Sequence, residues 1–155
     1  MPFSIDKMID TDRIVDLKSI RKEEVLGELI ALTSSSPFIT DKKELREKIF
    51  EREKAVSTGV GVGLATPHAK IASVRDFVIS IGLSRDGLDF DSLDGNPTFI
   101  VVMIACNNTQ SADFLKVLAH IVKYLKLAPV QRRILEAKSK DEIRDIFVQP
   151  VAPTA

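Results

Sequence analysis

The apolar positions of this chain keep changing their period, and each change marks an element. Residues 12–17, "DRIVDL", hold Ile14 and Val15 in a short strand-like run. Val25, Leu26, Leu29, Ile30 and Leu32 then recur at helical spacing. They predict a helix over 19–36, with Ser19 as its N-cap and "SSSP" as its stop. Leu45, Ile49, Phe50 and Val56 form the stripe of a second helix over 40–56, capped by Thr40 or Asp41. Residues 75–84 alternate and are rich in β-branched side chains, which predicts a strand. "TFIVVMIAC" (98–106) is nearly all apolar, as in a strand covered on both faces. Between them, 87–97 is a turn-rich connection ending in the breaker "DGNP". The clearest amphipathic helix is 111–125. A helix over 129–138 follows with Pro129 in its first turn, and another over 139–148 with Ser139 and Glu142 at capping-box spacing.

Helices alternating with strands predict an α/β fold: a single domain with a mixed β-sheet flanked by α-helices. The passage from 98–106 into 111–125 favours parallel pairing of a crossover type. The 155 residues suffice for one domain with a real core. The domain reads as 8–148, with no internal repeat or linker, and 149–155 as a flexible tail.

Composition narrows the function. Lys plus Arg is 22 and Asp plus Glu is 22, a net charge of zero, which argues against nucleic acid or an anionic membrane as the main partner. The N-terminus has no secretory pattern and no stretch reaches the ~18 apolar residues of a membrane helix, so no direct membrane insertion is expected. The single cysteine, Cys106, closes no internal disulfide and fits a reducing cytoplasm. It ends an apolar strand and reads as a buried, inert thiol.

The candidate chemistry lies in "EREKAVSTGVGVGLATPHAK" (51–70). Gly59, Gly61 and Gly63 follow a helix rather than opening one, and no Gly-Lys-Ser/Thr closes the run. Neither the dinucleotide fingerprint nor a P-loop is met, and no cofactor is expected. Glycines still let backbone N–H groups approach an anion, and Ser57 and Thr58 add hydroxyls; a plain flexible loop is the alternative reading. Residues 61–67 read as extended, with Pro67 stiffening the approach to His68 at a strand end. Two histidines and one cysteine are too few for an ordinary zinc site, and Ser57 lacks the elbow of a serine hydrolase. A neutral imidazole acting as its own nucleophile needs fewer parts. Phosphoryl transfer to His68 would need a cation, and Arg52 is the candidate. The alternative is a surface arginine among Glu51, Glu53 and Lys54.

"ERE" followed by "STGVGVGLATPHAK", with "KEEVLGELI" and "FLKVLAHIVKYL", resembles the enzyme IIA domain of fructose–mannitol type in the bacterial phosphoenolpyruvate-dependent phosphotransferase system. The nitrogen-regulatory branch is the most similar in layout. The resemblance covers roughly 8–148. It implies that His68 accepts phosphate from a histidine phosphocarrier protein, that Arg52 is the site arginine, and that Ser57, Thr58 and Gly59 border the phosphoryl group. It also implies onward contact with an enzyme IIB or a regulated protein target, and neither metal nor nucleotide. With no permease or IIB segment in the sequence, signalling is favoured over sugar transport.

One position departs from the family. Where it commonly carries a second histidine, at the start of the later helix, this chain has Phe114. His120 does not replace it: Phe114, Leu118, Ile121 and Leu125 share one helical face and His120 falls opposite, on the expected solvated side. A phenyl ring donates no hydrogen bond to phosphate. The departure implies slower transfer, a different partner, or a transfer-impaired module that binds a protein or small anion. The family's Ile-Pro-His ending is Thr66-Pro67-His68 here.

Overall fold

The computed structural model describes residues 5–148, so the predicted tail lies outside the described residues. A short 3-10 turn, Ile5–Lys7, leads into β1 (Ile9–Asp16), α1 (Lys22–Thr33) and α2 (Lys42–Ala55). Three very short strands follow: β2 (Gly59–Gly61), β3 (Leu64–Ala65) and β4 (His68–Lys70). Then come β5 (Val78–Leu88), β6 (Thr98–Cys106), α3 (Ser111–Leu125), α4 (Ala128–Glu136) and α5 (Lys140–Val148).

The sheet is mixed, in the order β1-β5-β6-β3-β2, with β4 also paired to β6. β5 and β6 are antiparallel; β1 runs parallel to β5, and β3 and β4 parallel to β6. The apolar run of β6 explains its central place. Ile100, Val102, Ile104 and Cys106 join the core beneath α3, α4 and α5, whereas Val101, Met103 and Ala105 join the core beneath α1 and α2. This two-residue alternation between two cores is what a strand covered on both faces requires.

Several expectations are corrected. Among the described residues no strand follows α3, so the parallel pairs arise instead from β1, β3 and β4. α1 starts at Lys22 behind Arg21, and Ser19 caps nothing; its backbone N–H donates to Glu28 Oε1 at 3.2 Å. Of the two proposed caps of α2, Asp41 is the one, accepting from Glu44 N at 3.0 Å. β5 starts three residues later than expected and runs on to Leu88, past Gly87 with its φ of 85°. Ser139 Oγ accepts from Glu142 N at 3.1 Å, while Glu142 reaches back to Lys138 N rather than to Ser139.

The glycine stretch is the largest correction. Residues 61–67 are not one extended segment. β2 and β3 form an antiparallel hairpin whose turn passes through Gly61, Val62 and Gly63, at φ 94°, 51° and 82°. Asp94 Oδ2 accepts the Val62 N–H at 2.9 Å, and Gln131 Nε2 donates to the Val62 carbonyl, which holds a β-branched residue in a backbone region it disfavours.

Candidate phosphoryl-transfer site

Thr66 and Pro67 break the strand between β3 and β4. Proline has no N–H to place in the ladder, yet its carbonyl still accepts from Ile104 N at 3.0 Å. The chain therefore re-enters the sheet at His68 in fixed register, with His68 opposite Ile104 and Lys70 opposite Cys106. His68 and Lys70 point to one face of β4, and buried Ala69 to the other.

His68 is half-buried, and its Nδ1 lies 2.8 Å from the Thr66 carbonyl oxygen. A carbonyl can only accept, so Nδ1 carries the proton and Nε2 keeps its lone pair. Burial lowers the pKa of His68 from 6.5. The bond to Thr66 opposes this, Arg52 and Lys70 lower it further by repulsion, and Glu53 raises it. The ring is thus neutral at physiological pH, with one nitrogen ready to attack.

A cavity of about 540 Å³ opens at this ring between the end of α2 and β4. Lys48, Glu51, Arg52 and Ala55 line its helical side, and His68, Ala69 and Lys70 its strand side. Three cations against one carboxylate make it a place for an anion. Arg52 Nη1 donates to the Val56 carbonyl at 2.8 Å, which ties one arm of the guanidinium to the end of its own helix.

The structure brings His68 and Arg52 into one cavity but turns Ser57, Thr58 and Gly59 elsewhere. Ser57 Oγ donates to the Phe90 carbonyl at 2.9 Å and accepts from Gly59 N at 3.0 Å. Thr58 is buried and gives both donors to Glu53, its N–H at 2.8 Å and its hydroxyl at 2.5 Å. Lys22, from the start of α1, reaches the same carboxylate at 2.8 Å. Sequence reasoning placed Glu53 among surface charges; its side chain is 4% exposed.

Phe114, at the position where a second histidine is expected from the resemblance, is buried. Its ring centroid lies 4.8 Å from that of His68, tilted by 43°. His120 is not on an open solvated face, as its helical position suggested: it is half-buried, 6.5 Å from the ring of Tyr124. Cys106 is fully buried, and burial pushes its thiol up to about 11, which suits an inert core residue. Among the described residues no helix is long and apolar enough to cross a membrane.

Comparison with solved structures defines the class. The backbone matches the crystal structure of the nitrogen regulatory protein IIA-Ntr from Neisseria meningitidis, with a TM-score of 0.85 and 25% identity over 92% of this chain and 98% of that one. The fold is that of an enzyme IIA. The sequence then gives the family. Residues 7–149 match the family described as "Phosphoenolpyruvate-dependent sugar phosphotransferase system, EIIA 2", and the chain belongs to it. It is 31% identical to the nitrogen regulatory protein homolog of Haemophilus influenzae, over 92% of this chain and 90% of that protein. It is also 37% identical to the PTS system fructose-specific EIIABC component of Bacillus subtilis, over 87% of this chain but only 21% of that protein.

Proposed function

We propose that this protein is a phosphoryl-relay or regulatory component that accepts phosphate on Nε2 of His68 from a histidine phosphocarrier protein. The observation that carries this reading is the bond from Nδ1–H to the Thr66 carbonyl, at 2.8 Å, on a ring that opens into a cationic cavity. The Nε2 lone pair attacks phosphorus and forms a new N–P bond. The N–P bond of the carrier breaks, and its electron pair returns to the carrier's ring nitrogen; with the proton kept on its other nitrogen, that ring leaves as neutral imidazole. The His68 ring gains positive character in that step, and the Thr66 carbonyl stabilises it at Nδ1. Arg52 faces the charge on the phosphoryl oxygens as it shifts between the two rings.

Ser57, Thr58 and Gly59 could bind phosphate directly only by giving up their bonds to Phe90, Glu53 and Ser57. We assign them the role of fixing the segment between Arg52 and His68. From phospho-His68 the group passes to an enzyme IIB-type acceptor, or the phosphorylated state is itself the signal to a regulated protein. A phosphate adds close to two negative charges to this surface, enough to change what docks there. The donor-free ring of Phe114 beside His68 supports a second reading, a module that binds partners but transfers poorly.

Incubation with phosphoenolpyruvate, enzyme I and the phosphocarrier, followed by intact-mass measurement, separates these readings. The wild type and His120→Ala gain one acid-labile phosphate and His68→Ala gains none. Label retained in His68→Ala overturns the assignment, and an unlabelled wild type favours the binding module.

A further inference from the structure

Of the cations around the His68 cavity, two are already engaged. Lys48 lies 3.7 Å from Glu51, and Arg52 gives one arm to the Val56 carbonyl. Lys70 differs. Its ammonium pairs with no carboxylate among the described residues. It sits 5.1 Å from the centroid of the Phe114 ring, the same ring that packs against His68. Lys70 and His68 share one face of β4, and both line the cavity. An exposed lysine gains little from leaving water for an aromatic face. Here that contact draws the ammonium toward the nucleophilic ring while leaving it without a counterion.

Resting on the proposed phosphorylation of His68, we propose that Lys70 is the second cation of the phosphoryl site and that Phe114 is its positioning residue. The aromatic ring is a common platform that holds the imidazole and the ammonium side by side. The phosphoryl oxygens on Nε2 then meet Arg52 from α2 and Lys70 from β4. A side chain at position 114 that donates nothing is compatible with transfer, because the donor comes from the strand instead. The ammonium contributes charge and hydrogen bonds only; no proton or electron pair moves to or from it in the step written above.

The test uses the full chain with phosphoenolpyruvate, enzyme I and the phosphocarrier, and reads the rate of phosphate gain by rapid-quench intact mass. Lys70→Met slows acceptance about 10- to 100-fold, the loss of one charge-assisted contact, and Lys70→Arg restores most of the rate. Phe114→Leu slows it about two- to fivefold by releasing the ammonium, and Phe114→Tyr restores it. A structural role for Lys70 would not reproduce a second readout: NMR titration of the unphosphorylated protein. Removing this cation raises the His68 midpoint in Lys70→Met, while Arg52 and Glu53 remain to act on the ring. If the wild type labels on His68 and Lys70→Met labels at the wild-type rate, this inference fails and the parent reading stands. If the wild type takes no phosphate, or His68→Ala keeps it, both fail.

Discussion

Arg52 and Glu53 are neighbours on the last turn of α2, and they belong to two different polar regions. Arg52 faces an open cavity with His68, Lys70 and Lys48, where cations outnumber carboxylates. Glu53 faces inward, where Thr58, Lys22 and Ser57 form a closed knot. In the knot every charge has its opposite and the Thr58 donors have an acceptor, so nothing is left to offer a ligand. In the cavity charge is left unbalanced and a lone pair is kept available. The difference separates scaffold from chemistry: the closed region fixes where β2 leaves α2, and thereby where the open one holds its arginine. Residues that adjoin in sequence and share a polar character are sorted by which way one helical turn presents them.

The largest effect that can break this contrast is removal of the knot's anion. Glu53→Ala leaves the Lys22 ammonium, with a side chain 18% exposed, without its nearest carboxylate, and it strands both Thr58 donors. Breaking a buried pair from one side costs about 3–5 kcal/mol. Chemical denaturation should show a loss of that size. Glu53→Gln, which keeps an acceptor, should lose less. Equal stability of Glu53→Ala and wild type would mean that the knot holds nothing.

Arg52→Ala strikes the other region. It removes a guanidinium from the cavity wall and a bond to the Val56 carbonyl at the surface. Transfer from the phosphocarrier should slow by about 100-fold, the effect of losing one preorganised donor to a charged transition state. The unfolding midpoint should move far less than in Glu53→Ala. Arg52→Lys should recover part of the rate, since it restores charge without the planar fork. A variant that loses stability but transfers phosphate normally would place Arg52 with the scaffold and erase the distinction between the two residues.

Much of this was legible in the sequence, for reasons that differ by residue. The stripe on α3 and the solid apolar run of β6 showed the core because burial alone dictates them. Pro67 marked the strand break because its missing N–H acts locally. The hairpin at Gly61–Gly63 was missed because its turn includes Val62, whose left-handed backbone is held by Asp94 and Gln131 from distant parts of the chain. The Lys22–Glu53 pair was hidden for the same reason: no periodicity reports that the start of α1 meets the end of α2. Lys70 had a signal that went unused, since two residues past His68 in a strand is the same face. The turn at Ser57–Gly59 reads as part of the phosphate site from its hydroxyls, its glycine and the family resemblance, but no local pattern reports that the Ser57 hydroxyl donates to Phe90 and both Thr58 donors to Glu53.

The smallest expected effect concerns the proton balance of the open region. Burial, Arg52 and Lys70 together hold the folded His68 below its ordinary 6.5, against the opposing pull of the Thr66 carbonyl and Glu53. In the unfolded chain the ring titrates near 6.5. Above that value both states are neutral and the stability contribution is fully present. As pH falls through the lower folded midpoint the unfolded state binds the proton more readily, and the contribution is lost. The same proton occupies Nε2 and removes the nucleophile. Phosphoryl acceptance should therefore hold steady from pH 8 to about 6.5 and fall only below it, in step with the ring titration followed by NMR. Unfolding of His68→Gln should lose this part of the pH slope. A His68 midpoint at or above 6.5 in the folded protein would show that burial and the cavity's cations do not outweigh the Thr66 bond and Glu53, and the ring would not be kept neutral by its site.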